Sequence, residues 1–299
     1  MLGVLGIGMG FAEGVILDTL KESYHSGSEF VGYTTTREQA RVIGAPLEPL
    51  LVVAGAGSGK TATMADRVVW LVANGHVRPD EVLGVTFTRK AAGELAQRIR
   101  QQLAQLAASG LVEWDDGPLE PTVSTYHAYA NTLVQDHGLR IGVEPDTVLL
   151  GAAQSWQLAA SVVEEYDGDH AHLSASKATL ISAVTTFAGE CAEHLVEPAG
   201  ARAWLDGLAG RLAALPYRVG KAAAPAQKAT DLLDKLRTRS TVALLAERYA
   251  AAKDRRGAMD YGDLVALAAR IARTVPAAGE AERDRFRVVL LDEFQDTSH

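Results

Sequence analysis

Three kinds of short stretch carry side chains whose types and spacing could act on a polyphosphate or a nucleic-acid strand. The first is Ala54-Gly55-Ala56-Gly57-Ser58-Gly59-Lys60-Thr61. Glycines let backbone N–H groups curl around an anion, a lysine ammonium reaches β- and γ-phosphates, and a threonine hydroxyl can hold Mg²⁺. The spacing G-x-x-x-x-G-K-[ST] is met except at its first position, Ala54. The second is Asp292-Glu293-Phe294-Gln295-Asp296-Thr297. There Asp292 would hold the Mg²⁺ of a bound nucleotide, and Glu293 would orient or deprotonate the water that attacks the γ-phosphate. The third kind is a pair of junctions, Thr86-Phe87-Thr88-Arg89-Lys90 and Thr125-Tyr126-His127, which offer hydroxyls, bases and an aromatic ring to a phosphate or a base. Each has a plainer reading: a Gly-rich turn, a solvated strand end, and ordinary strand-to-helix turns.

Chemistry of this kind needs elements that bring the stretches together. The apolar run Leu50-Leu51-Val52-Val53 reads as a buried strand feeding the Gly-rich loop, and Met64, Val68, Val69, Leu71 and Val72 mark the helix behind it, closed by Asn74-Gly75. Residues 82–88 read as a second strand, running into a helix marked by Leu95, Ile99, Leu103 and Leu106. Residues 121–125 read as a third, and 286–291 as a fourth that delivers Asp292 and Glu293 to its carboxyl end. Strands each followed by a helix imply an α/β fold with a parallel sheet, whose ligands bind where those carboxyl ends converge. Upstream, Thr36 caps a short helix that carries Gln39, whose amide could read an adenine or simply face solvent.

From about Gly151 the strand signal disappears. Trp156, Ala159, Val163 and Tyr166 mark one helix, Leu180, Val184, Phe187, Cys191 and Leu195 another, and Leu232, Leu233, Leu236, Leu244, Leu245 and Tyr249 a third group. The connections at 167–170 and 216–225 are polar or rich in Ala, Pro and Gly. A helix opening on an Asp260 cap precedes the last strand. The expected organisation is a poorly specified extension over 1–33, the first part of a nucleotide-binding domain over 34–148, an all-helical insertion over 149–254, and a return segment over 255–299.

With 29 basic and 37 acidic side chains the formal charge is −8, which argues against a uniformly basic coat but leaves room for a local basic channel. The single cysteine, Cys191, can form neither an internal disulfide nor a multi-thiolate metal site, so a reducing, cytoplasmic setting is expected. It falls on an apolar helical face and reads as a core thiol. His170, His172 and His194 show no metal-ligand spacing. The first twelve residues are apolar but lack the basic start and cleavage site of a secretory signal and are too short to span a bilayer.

Taken together the motifs resemble the ATP-binding half of superfamily 1 DNA helicases of the UvrD/Rep type. Gln39 is similar to that family's glutamine motif, and 54–61 resembles its Ala-Gly-Ala-Gly-Ser-Gly-Lys-Thr. Residues 86–92 resemble Thr-Phe-Thr-Asn-Lys-Ala-Ala, with Arg89 in place of asparagine, and 125–127 resemble Thr-Phe-His, with Tyr126 in place of phenylalanine. Asp260-Tyr261-Gly262-Asp263-Leu264 resembles Asp-Phe-x-Asp-Leu, and 292–297 resembles Asp-Glu-x-Gln-Asp-Thr. The wording of several segments is most similar to actinobacterial helicase–nuclease subunits of the AdnB kind.

The resemblance implies an ATP- and Mg²⁺-dependent motor on single-stranded DNA, moving 3′ to 5′ in repair or recombination, without a membrane and with a helicase–nuclease subunit as a candidate partner. It implies that residues 54–61 with Gln39 bind ATP, that Lys60, Asp292, Glu293 and Gln295 serve hydrolysis, that Thr61 and Asp292 hold Mg²⁺, and that Thr88, Arg89, Tyr126 and His127 meet the DNA. The family's next motif, second motor domain and arginine fingers would follow His299. Such fingers are worth on the order of 10³ to 10⁵ in turnover, so the 299-residue chain is expected to be a fragment that binds ATP weakly, hydrolyses it barely and does not unwind DNA. Another kind of P-loop ATPase, or a non-catalytic nucleotide- or DNA-binding fragment, is the alternative.

Overall fold

A computed structural model describes residues 35–108, 119–168, 173, 175–215 and 227–296. The expected extension over 1–33, the turn at 115–118, His170, His172, the connection at 216–225 and Thr297 lie outside the described residues. Two compact units divide the chain, one ending at Tyr129 and resuming at Gly279, the other running over Ala130–Ala278. Both divisions lie outward of the 149 and 254 boundaries expected from composition.

The first unit is built on three parallel strands, β1 (Val82–Thr86), β2 (Thr122–Thr125) and β5 (Val288–Leu291), in the order β2-β1-β5. Every residue of β1 is buried, as a central strand of an α/β sheet requires. Leu83 faces Thr122 in one neighbour and Val289 in the other, a register that brings Thr86, Thr125 and Leu291 to the same sheet end. Helices α2 (Lys60–Ala73) and α3 (Arg89–Ala108) supply the main core, in which Ala65, Val68, Leu71, Leu95, Ile99 and Leu103 pack with Val82 and Val288. Asn74 and left-handed Gly75 end α2 where the sequence puts the stop. This unit also holds α1 (Arg37–Ile43), with its Thr36 cap, the start of α4 (Tyr126–His137) and the last seven residues of α10 (Pro276–Arg285).

One strand expected from sequence is absent. Residues 50–53 carry no strand, and Leu51 and Val52 are exposed, with Val53 at 89%. A β-branched run becomes a strand only where a neighbour offers its ladder of N–H and C=O groups. Among the described residues no strand pairs with this one, and β5 forms an edge of the sheet. The loop is therefore entered from an extended, unpaired segment.

The second unit is mainly helical, with α5 (Ala152–Glu164), α6 (Lys177–Glu193), α7 (Pro198–Ala213), α8 (Gln227–Arg255), α9 (Tyr261–Thr274) and the first three residues of α10. Its main core joins Leu158, Val162, Ile181, Val184, Leu245 and Tyr249. Trp156, expected on the buried face of α5, is 46% exposed, because that face centres on Leu158, Ala159, Val162 and Val163 and leaves Trp156 at its margin. Nor is the unit wholly helical. β3 (Val148–Leu149) pairs in parallel with β4 (Ala258–Met259), two strands too short to leave a pattern in sequence. Lys253, 3% exposed, lies 2.7 Å from Asp260 and 2.5 Å from Asp263, the residues that also form the capping box of α9.

Candidate nucleotide and nucleic-acid site

In the loop, Gly57 and Gly59 take φ of +75° and +82°, left-handed values that a residue with a Cβ rarely adopts. They turn the chain so that α2 starts at Lys60, and Ser58 N–H donates to the Gly55 carbonyl across the turn. A Cβ at Gly55 or Gly57 would meet nothing within 4 Å, so the concave side of the loop is open. An open loop at the N-terminus of a fourteen-residue helix, with its unpaired N–H groups, suits an anion.

Opposite this loop, β5 hands the chain to Asp292. Its N–H donates to the Val85 carbonyl at 2.8 Å, the last ladder bond of the strand, and its side chain accepts the Glu293 N–H at 3.1 Å. Asp292 is 8% exposed. Burial, and next the negative charge of Glu293, pushes its carboxyl above the usual range. Glu293 turns the chain out of the sheet with φ of +51°, uncommon for a residue other than glycine. Its carboxylate accepts a hydrogen bond from the Gln295 amide and lies 3.5 Å from Lys60 Nζ. Those two contacts, Gln295 first, lower its pKa. The loop lysine and the strand-end carboxylates thus form one cluster drawn from distant parts of the chain.

The donor set fits a hard cation held jointly with phosphate oxygens. A threonine hydroxyl at position 61 and the Asp292 carboxylate are both oxygen ligands, and among the described residues no group of three or more His, Cys, Asp or Glu forms an all-protein cage.

The amide of Gln39 is committed on both sides. Its oxygen accepts the Thr36 N–H at 2.9 Å in the capping box of α1, and its nitrogen donates to the Ser58 carbonyl at 3.0 Å. Gln39 therefore ties α1 to the phosphate loop. The sequence reading overlooked a second tie. Arg67, 6% exposed, sends its guanidinium to the carbonyls of Val42, Ile43, Ala45 and Pro46, where α1 ends. Its register held the clue, since Thr63, Arg67 and Leu71 recur at four-residue spacing along one buried stripe.

The two junctions open at the same end of the sheet. Thr88 accepts the Ala91 N–H at the start of α3, and Arg89 and Phe87 are exposed beside it. Thr125 accepts the Ala128 N–H at the start of α4, and His127 is half-buried one residue into that helix. Tyr126 has a different environment. Its ring packs against the cluster of Leu83, Val85 and Phe286, and its hydroxyl donates to the Asp292 carbonyl at 3.1 Å.

Among the described residues no helix is long and apolar enough to cross a membrane. DNA helicase II of Haemophilus influenzae is 33% identical over 143 residues, 48% of this chain and 18% of that protein. ATP-dependent DNA helicase PcrA of Staphylococcus aureus is 26% identical over 261 residues, and DNA helicase II of Escherichia coli 25% over 262, covering 87% and 88% of this chain. The chain spans about a third or less of the length of these relatives, 18% to 30%. Residues 35–299 match the UvrD/REP helicase N-terminal domain, and with its phosphate loop facing a strand-end Asp-Glu pair the chain belongs to that superfamily 1 helicase family.

Proposed function

We propose that this chain is the ATP-binding portion of an ATP-dependent DNA helicase or translocase that moves 3′ to 5′ on single-stranded DNA in repair or recombination. The observation that carries the reading is the 3.5 Å approach of Lys60 to Glu293, which joins a phosphate cradle to a candidate base. Residues 54–61 would hold the polyphosphate, with Gln39 bracing the loop from behind. Thr61 and Asp292 would hold Mg²⁺, whose charge when bound draws the β- and γ-phosphates together and offsets the charge that builds up on them. Glu293 would accept the proton of the attacking water, and Gln295, hydrogen-bonded to Glu293, would fix its orientation.

Thr88, Arg89, Tyr126 and His127 are the residues we assign to the DNA strand. The exposure of Arg89 at a helix start supports this, since a cation and free N–H groups there suit a backbone phosphate. The expected organisation of 34–148 and 255–299 as a RecA-like domain around a 149–254 insertion goes with this reading, as does a cytoplasmic setting. A helicase–nuclease partner subunit is what the AdnB-like wording of several segments supports.

Calorimetric titration with ATP and Mg²⁺ tests the assignment. Lys60→Ala removes the ammonium nearest the phosphates and should weaken binding at least tenfold; unchanged affinity would rule out the phosphate-loop reading.

A further inference from the structure

Tyr126 carries a hydroxyl that is not idle: it donates to the backbone carbonyl of Asp292 at 3.1 Å. From that contact we infer that Tyr126 is a positioning residue, which fixes the Asp292 carboxylate from the α4 side and links the Thr125-Tyr126-His127 junction to the metal-holding end of β5. The inference rests on the nucleotide-site reading above.

The local geometry shows why a tether is needed there. Asp292 N–H makes the last ladder bond, to Val85, and one residue later Glu293 turns left-handed and the chain leaves the sheet. Beyond its N–H, Asp292 has no β-ladder to hold it, so without a further contact its carbonyl would swing about the N–Cα bond, a rotation that carries the side chain with it. The Tyr126 hydroxyl closes that freedom. Its own ring packs against the buried cluster of Leu83, Val85 and Phe286, so the donor is anchored in the core rather than on a mobile stem.

Tyr126 is also the first residue of α4, directly after Thr125, whose side chain caps that helix, and directly before His127. A ligand that shifts the junction therefore moves the tether, and the Asp292 backbone with it. Lys60 holds the loop side of the site by charge, whereas Tyr126 acts only on the carboxylate side. That division separates the effects of the two residues in an experiment.

The test uses the 299-residue chain and its Tyr126→Phe and Lys60→Ala variants. Phenylalanine keeps the ring in its cluster and removes only the oxygen. ADP affinity is measured by calorimetry in Mg²⁺ and in EDTA, and amide exchange of the peptide covering 288–296 is followed without nucleotide. Tyr126→Phe should weaken ADP binding roughly three- to tenfold in Mg²⁺, the loss of one hydrogen bond, leave it within twofold in EDTA, and speed exchange at 288–296 at least fivefold while β1 peptides stay protected. Equal weakening in Mg²⁺ and EDTA, or unchanged exchange at 288–296, would overturn the inference. Lys60→Ala should weaken ADP in both conditions; if it does not, the nucleotide-site reading fails, while the exchange experiment still decides whether Tyr126 restrains Asp292.

Discussion

Replacing Arg67 with methionine should loosen α1 from the phosphate loop, and the structure sets the size of the effect. The guanidinium, 6% exposed, meets four carbonyls at 2.8 to 3.1 Å. Two of them keep other partners, since Val42 accepts the Gly44 and Ala45 N–H groups and Pro46 accepts the Glu48 N–H. The carbonyls of Ile43 and Ala45 depend on Arg67 among the described hydrogen bonds. Leaving a buried polar group unsatisfied costs about 1–3 kcal/mol, so two cost roughly 2–6. Release of a cation whose burial lowers its pKa offsets part of this, giving a net loss of about 2–4 kcal/mol. A seven-residue helix with only Ile43 buried has little else to hold it. Amide exchange of the α1 peptide should therefore accelerate about 100-fold in Arg67→Met, since each 1.4 kcal/mol is a factor of ten. Arg67→Lys, a point charge with three donors, should recover part of the protection. ADP affinity should fall with it, because the Gln39 bond to Ser58 depends on where α1 sits. Acceleration below threefold in Arg67→Met would show that α1 is held by other contacts and refute the reasoning.

Two further substitutions test local electrostatics and backbone strain. Lys253→Met strands two half-buried carboxylates. In the native chain burial opposes ionisation of Asp260, yet the Lys253 charge and hydrogen bond outweigh it and hold its pKa low, which stabilises the fold above the ordinary carboxylate range and is lost as pH falls through the lowered value. Asp263 is pushed the other way, first by burial and despite Lys253, so its ionisation costs stability as pH rises. Without the cation both carboxyls should shift up, so the cost of Lys253→Met, about 3–5 kcal/mol near pH 7.5, should shrink by pH 5 in urea unfolding; a cost that grows toward acid would contradict the assignment. At Glu293, whose φ of +51° penalises a Cβ by about 1 kcal/mol, glycine should be about 1 kcal/mol more stable than alanine by the same assay, and the ordinary preference for alanine would refute the strain.

What could be read from sequence was what neighbouring residues decide among themselves. Thr36 and Asp260 announce their helices because a cap acts within three residues, and Gly57, Gly59 and Gly75 mark turns because only the local φ matters. The parallel sheet was legible at β1, β2 and β5, where apolar runs met junction residues. Residues 50–53 misled for the complementary reason: a strand is a property of a pair, and one half of a pair looks the same whether or not its partner is present. β3 and β4 were invisible at two residues each, and α7, diluted by Gly200, Gly207 and Gly210, carried little helical signal. Tyr126 and Arg67 escaped for a related reason. Tyr126 meets Asp292 across most of the chain, and Arg67 meets α1 across more than twenty residues, so no window along the sequence contains both ends of either contact.

The Lys60–Glu293 pair adds a step that neither residue shows alone. In the proposed reading Lys60 is needed by the phosphates and Glu293 by the attacking water, yet here each is the other's counter-charge at 3.5 Å. Part of what keeps Glu293 a weak base is that cation. When a polyphosphate takes the lysine, Glu293 loses that opposite charge, which raises its affinity for a proton, while the Mg²⁺ that Asp292 would hold in the same reading acts against the rise. Nucleotide binding would thus release Glu293 from its lysine counter-charge only at the site where the phosphates have arrived. Gln295, whose hydrogen bond is the larger influence on Glu293, would keep the carboxylate in place while its charge partner changes.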